Sequence, residues 1–340
     1  MSRILRLIPD SFTLAIVAAV VLSLVLPCSG ESANWVAIGS ELAIALLFFL
    51  QGARLSRQAV LAGILHWRLH LIIMAATFVV FPLLGLALSP LSGWLLAPSL
   101  YAGLVFLCTL PSTVQASVVF TSIAGGNVAA ALCAASLSSM IGMVLTPLLV
   151  GLLLQTHGAG SLNGLSSIAL HLLLPFLAGQ LLQSRIEAWM KRHDRIVRLV
   201  DRGSVLLMVY GAFSAATLSG AWSRIPASSL LVLAIIDAAL LATMLASTAF
   251  AARRFGLPRE DEIAIVFCGS KKSLVTGIPM ANALFAGASI GLVVLPLMIF
   301  HQLQLMACAA LARRYALAGT DQARIPGTLL PAASTTGPPP

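Results

Sequence analysis

Long runs of apolar residues, separated by short polar stretches, fill most of this chain. We interpret ten of these runs as membrane-spanning helices, because each is about twenty residues long, the length that the hydrocarbon core of a bilayer requires. The predicted spans lie near residues 11–27, 34–51, 70–89, 97–123, 128–154, 164–184, 203–221, 228–250, 262–284 and 289–311. The strict alternation of a transmembrane barrel is absent. The pattern therefore predicts an all-α polytopic membrane protein.

The ninth apolar run carries two adjacent lysines near its middle, Lys271 and Lys272, beside Gly269, Ser270 and Ser273. A lysine at the bilayer centre costs about 2.5–3.5 kcal/mol on insertion scales, so an adjacent pair needs a reason. An interrupted apolar segment that carries charge is typical of the binding site of a transporter. The alternative is a short helix of the kind found in soluble proteins, with the two lysines on its surface.

The fourth apolar run has a break of its own at Pro111, followed by Ser112 and Thr113, which we expect to cap a new half-helix. This run is the fourth of the first five, and the lysine-bearing run is the fourth of the second five. Five is an odd number, so two five-helix repeats would enter the membrane in opposite orientations. The sequence therefore predicts two inverted repeats whose broken helices, 4 and 9, cross near the midplane.

Composition and charge agree with a membrane protein. Hydrophobic residues make up 59% of the 340 residues and charged ones only 9%, with a mean hydropathy of +1.00, whereas soluble domains carry about 25% charged residues. The net charge of +9 does not indicate nucleic-acid binding, because the basic residues lie in short loops. With the N-terminus inside, seventeen of the twenty lysines and arginines lie on inner segments, and Arg224 alone lies outside. This asymmetry predicts a multi-pass protein of the inner or plasma membrane with both termini cytoplasmic.

We expect one transmembrane domain over residues 1–315 and a disordered cytoplasmic tail over 316–340, which is rich in Pro, Thr, Ser and Gly. The first apolar run also resembles a signal peptide, but its length and the topology favour a first span. The inner connection 185–202 mixes apolar and basic residues as an amphipathic surface helix does. The five cysteines form no CxxC pair, and motifs for hydrolysis or phosphate binding are absent, so we predict no metal, no cofactor and no enzyme.

Three stretches resemble the bile acid–sodium symporter family. They are Phe48–Leu55 (FFLQGARL), the run Leu110–Pro147 with Ala124–Ala129 (AGGNVA) and Leu145–Leu149 (LTPLL), and, most like the SBF-like transporter branch of that family, Gly269–Ser273 (GSKKS). The resemblance covers residues 5–315. It implies a core of helices 3–5 and 8–10, a panel of helices 1, 2, 6 and 7, and alternating access by rocking of the core against the panel around a midplane site.

The resemblance also implies where cation ligands would stand in sodium-coupled members. Ser117 matches a hydroxyl ligand, but Val118 stands where an asparagine would be. The hydroxyl positions of helix 5 fall on Ala131 and Ala135, and the glutamine contributed by helix 3 falls on Thr77.

In helix 9 the acidic position falls near Phe267, the glutamine near Lys271 and the following asparagine near Lys272. Ammonium groups thus replace cation ligands, and no carboxylate lies within this break. We therefore predict that transport does not depend on sodium, and that Lys271 or Lys272 either substitutes for the ion or couples the solute to protons. The alternative is a sodium site rebuilt from other ligands.

Other polar residues lie inside the spans. Asp237, in span eight, either neutralises one of the lysines or carries a proton, because an unpaired carboxylate there is costly. Asn127 follows a Gly-Gly turn, where we expect it to cap helix 5, and Gln304 suits hydrogen bonding between helices. The predicted substrate and coupling residues are Thr77, Ser112, Thr113, Gln115, Ser117, Asn127, Asp237, Ser270, Lys271, Lys272 and Ser273.

These observations predict a secondary active transporter embedded in the lipid bilayer. We expect its solute to be a small organic anion, because the half-helix N-termini and both lysines present positive charge at the midplane. The expected coupling ion is the proton rather than sodium, and no nucleic acid is involved. Two alternatives remain: a regulatory membrane protein with the transporter fold and no net flux, and a channel.

Overall fold

The computed structural model describes residues 11–54, 66–154, 162–285 and 289–323, and these residues form helices without a β-strand. We number the helices α1 to α12 in chain order. The third is one continuous helix with a π-helical segment, Ala76–Val80, between two α-helical parts. The helices are α1 Ser11–Val25, α2 Glu31–Arg54, α3 Trp67–Ala75 with Ala76–Val80 and Phe81–Ala87, α4 Pro98–Thr109, α5 Val114–Ile123, α6 Val128–Leu154, α7 Leu162–Arg192, α8 Asp194–Leu218, α9 Ala227–Arg254, α10 Arg259–Gly269, α11 Leu274–Leu284 and α12 Ile290–Ala323.

Several of these helices meet the length and hydropathy needed to cross a bilayer, so the protein is a multi-pass membrane protein. Within the described residues six segments qualify, and the bent pair α4 and α5, with 61° between its halves, adds a seventh. The six are Glu31–Arg54, Trp67–Leu91, Val128–Leu154, Ala227–Arg254, Arg259–Leu284 and Ile290–Ala318. Helices also lie at the other predicted positions, but the count of ten spans stays a prediction.

Two expectations, about the connection 185–202 and about the C-terminal tail, need correction. The connection 185–202 is not a separate surface helix, because α7 continues to Arg192 and α8 begins at Asp194. The end of α7 and the start of α8 thus occupy the segment that was predicted to form a separate amphipathic connector. In addition, α12 continues to Ala323, so the first part of the expected tail is helical. Residues 324–340 lie outside the described part of the chain.

Helices α1, α2, α7 and α8 pack on one another, and they also contact the other helices, α7 through α6 and α8 through α11 and α12. Helix α2 packs along α7 and α8, and α1 packs along α8. The α2–α7 contact is close because two glycines face the opposite backbone: a Cβ on Gly52 would overlap the Phe176 carbonyl, and a Cβ on Gly179 would overlap the Phe49 carbonyl. Small residues at a helix interface allow this approach in membranes.

Two further sets of contacts join the remaining helices. Helix α10 contacts α3, α5, α6 and α9, and α4 packs along α12. The segments next to the two breaks are the most enclosed, since every residue from Asp261 to Gly269 and from Gly103 to Thr109 is buried. Apolar side chains on the outer helices are exposed instead, as lipid contact requires; Leu181 and Phe250 are examples.

Candidate functional site

Both predicted breaks are present, at the predicted positions. Helix α4 ends at Thr109 and α5 begins at Val114, while α10 ends at Gly269 and α11 begins at Leu274. Pro111 explains the first break, because its ring removes a backbone donor and disfavours helix in the preceding residue. Leu110 is accordingly extended.

The two breaks lie against each other and exchange hydrogen bonds. The Ser112 hydroxyl donates to the Cys268 carbonyl at 2.6 Å, and the Ser273 amide donates to the Pro111 carbonyl at 3.0 Å. The Ser117 hydroxyl donates to the Phe267 carbonyl at 3.0 Å. Each break therefore satisfies backbone groups that the other leaves without a helical partner.

This exchange corrects one expectation about capping. Ser112 does not cap α5, because its hydroxyl satisfies the end of α10 instead, and Thr113 forms no side-chain cap. Ser273, by contrast, caps α11, accepting a hydrogen bond from the Thr276 amide at 3.2 Å. Ser270 bonds locally to the Val266 carbonyl at 2.6 Å.

The ammonium group of Lys272 lies in a cradle of backbone carbonyl oxygens. It donates to the carbonyls of Thr77 at 3.0 Å, Cys108 at 2.9 Å and Leu110 at 2.7 Å, and it lies 4.1 Å from the centroid of the Phe81 ring. The side chain is completely buried. All three donors of the ammonium are thus used, in a ligand set of the kind that unwound backbone offers to a cation in transporters.

The carbonyl of Thr77 is available because of the π-helical segment in α3. There the Phe81 amide bonds to the Ala76 carbonyl, five residues back. In the same pattern the Thr77 carbonyl would accept a hydrogen bond from the amide of residue 82, but that residue is Pro82 and has no N–H. Thr77 therefore contributes its backbone oxygen, while its hydroxyl has no partner among the described residues.

The two carbonyls from α4 are end groups of a helix that Pro111 interrupts. In an unbroken helix the Cys108 carbonyl would accept from the Ser112 amide, four residues on. That amide donates instead to the Ser138 hydroxyl on α6 at 3.0 Å. The Lys272 ammonium takes the place of the Ser112 amide as the donor to the Cys108 carbonyl. The break after α4 thus provides hydrogen-bond acceptors for a lysine in the break after α10.

The ammonium of Lys271 lies in a different environment, between aromatic rings. Its nitrogen is 4.0 Å from the centroid of Phe120 and 4.9 Å from that of Phe267, and it donates one hydrogen bond, to the Ala116 carbonyl at 3.0 Å. Cation–π attraction stabilises such a charge. Lys271 therefore has fewer oxygen partners than Lys272.

Gln304 on α12 fixes the backbone between the two lysines and the start of α11. Its amide accepts from the Lys272 N–H at 2.9 Å and donates to the Lys272 carbonyl at 3.0 Å, and it also lies 2.9 Å from Nδ1 of His301. The expected hydrogen bond between helices is thus present. Its partner could not be read from the sequence, which shows only a lone amide in an apolar run.

Asp237 pairs with neither lysine. Its side chain is fully buried, and neither carboxyl oxygen has a hydrogen-bond partner within the described residues. Neutralisation of a lysine by Asp237 is therefore wrong for this conformation.

Asn127 lies away from both breaks, just before α6 in the chain and beside the start of α10 in space. It caps α6 as expected, accepting from the Ala130 amide at 3.0 Å, and it donates to the Asp261 carboxylate at 2.8 Å. Asp261 precedes Lys271 by nearly three turns of helix, about 15 Å. The structure therefore groups Thr77, Ser112, Ser117 and the segment 270–273 around the crossing, but it does not place Asn127 there. Gln115, in the first turn of α5, is exposed.

Two broken helices that cross inside a helical membrane protein, with buried cations at the crossing, define a membrane transporter. The chain belongs to the SBF-like CPA transporter family, whose model matches residues 10–317. It is thus a symporter-like transporter rather than an enzyme.

Similar proteins come from bacteria and animals. An uncharacterised protein of Pseudomonas aeruginosa is 54% identical over 323 residues, covering 94% of this chain and 96% of its own length. A protein of Escherichia coli K12 named "Putative symporter YfeH" is 50% identical over 307 residues, covering 90% and 92%. Sodium/bile acid cotransporter 7-B of Xenopus laevis is 30% identical over 347 residues, covering 94% and 98%.

Proposed function

We propose that this chain is a secondary active transporter that moves a small organic anion by alternating access, without dependence on sodium. The observation that carries the proposal is the pair of buried ammonium groups at the crossing, which form no ion pair with a carboxylate of the described residues. Buried cations without a counter-ion favour a negative ligand.

The geometry around Lys272 supports independence from sodium. Three carbonyl oxygens at 2.7–3.0 Å surround its nitrogen, and a bound sodium ion would compete for the same oxygens. The covalently attached ammonium is present at every step of the cycle, so it would fill the cation position permanently. Of the two lysines, Lys272 thus fits the role of a substitute for the ion.

The proposal of an anionic solute rests on Lys271 and on the two half-helices. Helices α5 and α11 both begin at the crossing, and a helix N-terminus carries partial positive charge. The rings of Phe120 and Phe267 beside the Lys271 ammonium offer an apolar surface for the carbon skeleton of the solute. Carboxylate, sulfonate and phosphate groups all fit this chemistry.

The proposed architecture is that of two inverted five-helix repeats with ten spans, a core of α3–α6 and α9–α12, and a panel of α1, α2, α7 and α8. The close packing of α2 with α7, and the hydrogen bonds that join the two breaks, support a core and a panel that each move as a unit. We place the protein in the inner or plasma membrane with both termini cytoplasmic, on the distribution of arginine and lysine.

Uptake of a radiolabelled bile acid into proteoliposomes tests this function, bile acids being the solute named in the animal relatives. We expect saturable uptake when sodium is replaced by choline at constant pH, and accelerated exchange when unlabelled bile acid is present inside. Strict dependence on sodium in the wild type would contradict substitution by lysine. Binding without flux would favour the regulatory alternative, and uptake that neither saturates nor responds to internal solute would favour a channel.

A further inference from the structure

Asp237 is a buried acid that takes part neither in the carbonyl contacts of Lys272 nor in the anion binding proposed at Lys271. It lies on α9, is completely buried, and both of its carboxyl oxygens lack a hydrogen-bond partner among the described residues. The aspartate Asp201 differs from it: its carboxylate forms an ion pair with Arg54 at 2.5 Å. Asp237 therefore stands out among the described residues as a fully buried acid with no hydrogen bond and no ion pair.

Asp237 forms no ion pair with a described residue in this conformation. Helix α9 packs against α3, α10 and α12. The Cys108 thiol on α4 is also near enough to interact electrostatically with Asp237. None of the titratable or charged groups on these elements donates a hydrogen bond to it. Away from the cytoplasmic ends of the helices, those groups are His70 on α3, Cys268 on α10 with Lys271 and Lys272 after it, and His301 and Cys308 on α12. Lys272, which contacts the Cys108 carbonyl, has all three donors occupied elsewhere.

An ionised carboxylate in such a place would lack both hydration and hydrogen bonds, and buried groups in this situation become neutral by taking up a proton. We propose that Asp237 is a proton-binding site, which holds its proton as a carboxylic acid in the conformation shown and releases it to water when movement of the core exposes α9. Binding converts COO⁻ and H⁺ into COOH, and release reverses this without another reactant. Binding of the proton stands on the burial of Asp237 alone, whereas its use in coupling rests on the proposed transport function.

Infrared spectroscopy of the purified protein tests proton binding without any solute. We expect the wild type to show the C=O stretching band of a protonated carboxylic acid at neutral pH, and we expect Asp237→Asn to lose it. Asp201→Asn is the matched control and should leave the band in place, because Asp201 is paired with Arg54. Absence of the band from the wild type, or its persistence in Asp237→Asn, would overturn the proposal.

Asp237→Glu keeps the inference testable should the asparagine variant fail to fold. Its longer acid should retain a protonated band at a shifted frequency, and an unshifted band would assign the signal to another residue. In sodium-free proteoliposomes, an imposed pH gradient should stimulate bile acid uptake by the wild type but not by Asp237→Asn. Equal stimulation of both proteins would overturn coupling at Asp237. A wild type that shows the band but no uptake would contradict the proposed transport function and leave the proton site intact.

Discussion

At the scale of single residues, adjacent lysines occupy unlike environments. Lys272 donates to three carbonyls, whereas Lys271 donates to one and lies between two aromatic rings. The sequence predicted that the pair sits in a break, because charge, glycine and serine together are legible in a single run. It could not separate the roles of the two lysines, because their partners come from α3, α4 and α5, whose registers depend on the whole fold.

Replacing Lys272 tests whether its ammonium fills a cation site. In Lys272→Ala three buried carbonyls lose their donor, at roughly 1–3 kcal/mol for each acceptor left unsatisfied, so we expect a lower melting temperature in detergent. Sodium should recover part of this loss, and choline should not, because only the small ion fits among the three oxygens. Lys271→Ala is the control and should show no recovery with sodium. Equal melting temperatures of Lys272→Ala in sodium and in choline would argue against the cradle as a cation site.

The hydrogen bond from Ser112 to Cys268 predicts a second effect. Ser112→Ala leaves a fully buried carbonyl at the end of α10 without a partner, which should destabilise the protein by about 1–3 kcal/mol. The control is Ser122→Ala at an exposed position of α5, expected within about 0.5 kcal/mol of the wild type. Thermal unfolding of the two variants side by side measures the difference, and equal stabilities would mean that water replaces the hydroxyl.

At the scale of elements, hydropathy located the helices, proline marked the first break, and charge with glycine and serine marked the second, but these signals did not reveal the π-helical segment of α3. One extra residue per turn hardly alters a run that is apolar on every side. The one local sign is Pro82, five residues after Thr77, which cannot donate to the Thr77 carbonyl. Whether that carbonyl meets water, a side chain or an ion depends on the opposite helix, so its contact with Lys272 was beyond prediction.

The contact between α2 and α7 is sensitive to a single methyl group. Gly52→Ala and Gly179→Ala would each place a Cβ against a backbone carbonyl, which cannot move aside as a side chain can. We expect either change to cost about 1–3 kcal/mol or more through forced separation of the helices. Gly203→Ala on α8 is the matched control, since nothing lies within 4 Å of its added Cβ; it should be neutral or stabilising by up to about 1 kcal/mol. Detergent melting curves that rank the three alike would contradict the close approach.

At the scale of the whole molecule, the positive charges predict one orientation in the membrane. The hydrophobic pattern and the asymmetry of Lys and Arg together define the chain as multi-pass, and the helices agree. The inverted repeat stays a prediction, because the two halves each carry a broken fourth helix, at Pro111 and at Lys271, but share little sequence.

Cysteine labelling in intact cells tests the orientation. In a Cys28→Ser background, a cysteine at Ser223, an exposed residue between α8 and α9, should react with a membrane-impermeant maleimide added outside. A cysteine at Arg195, exposed near the start of α8, should react only after the membrane is opened. The reverse pattern would place the termini outside, and labelling of both sites from outside would break the ten-span topology.

If Lys272 takes the place of a bound ion, as proposed, the substitution has a thermodynamic consequence. A symported ion enters from one compartment and leaves into the other, so its concentration gradient adds work to each cycle. The Lys272 ammonium is covalently attached and returns with the protein, so in that role it would contribute no work over a complete turn. Accumulation of solute then has to draw on some other gradient. If a monovalent anion moved alone, an interior-negative potential would oppose its entry by about 2.3 kcal/mol per 100 mV, and one accompanying proton would cancel that electrical term.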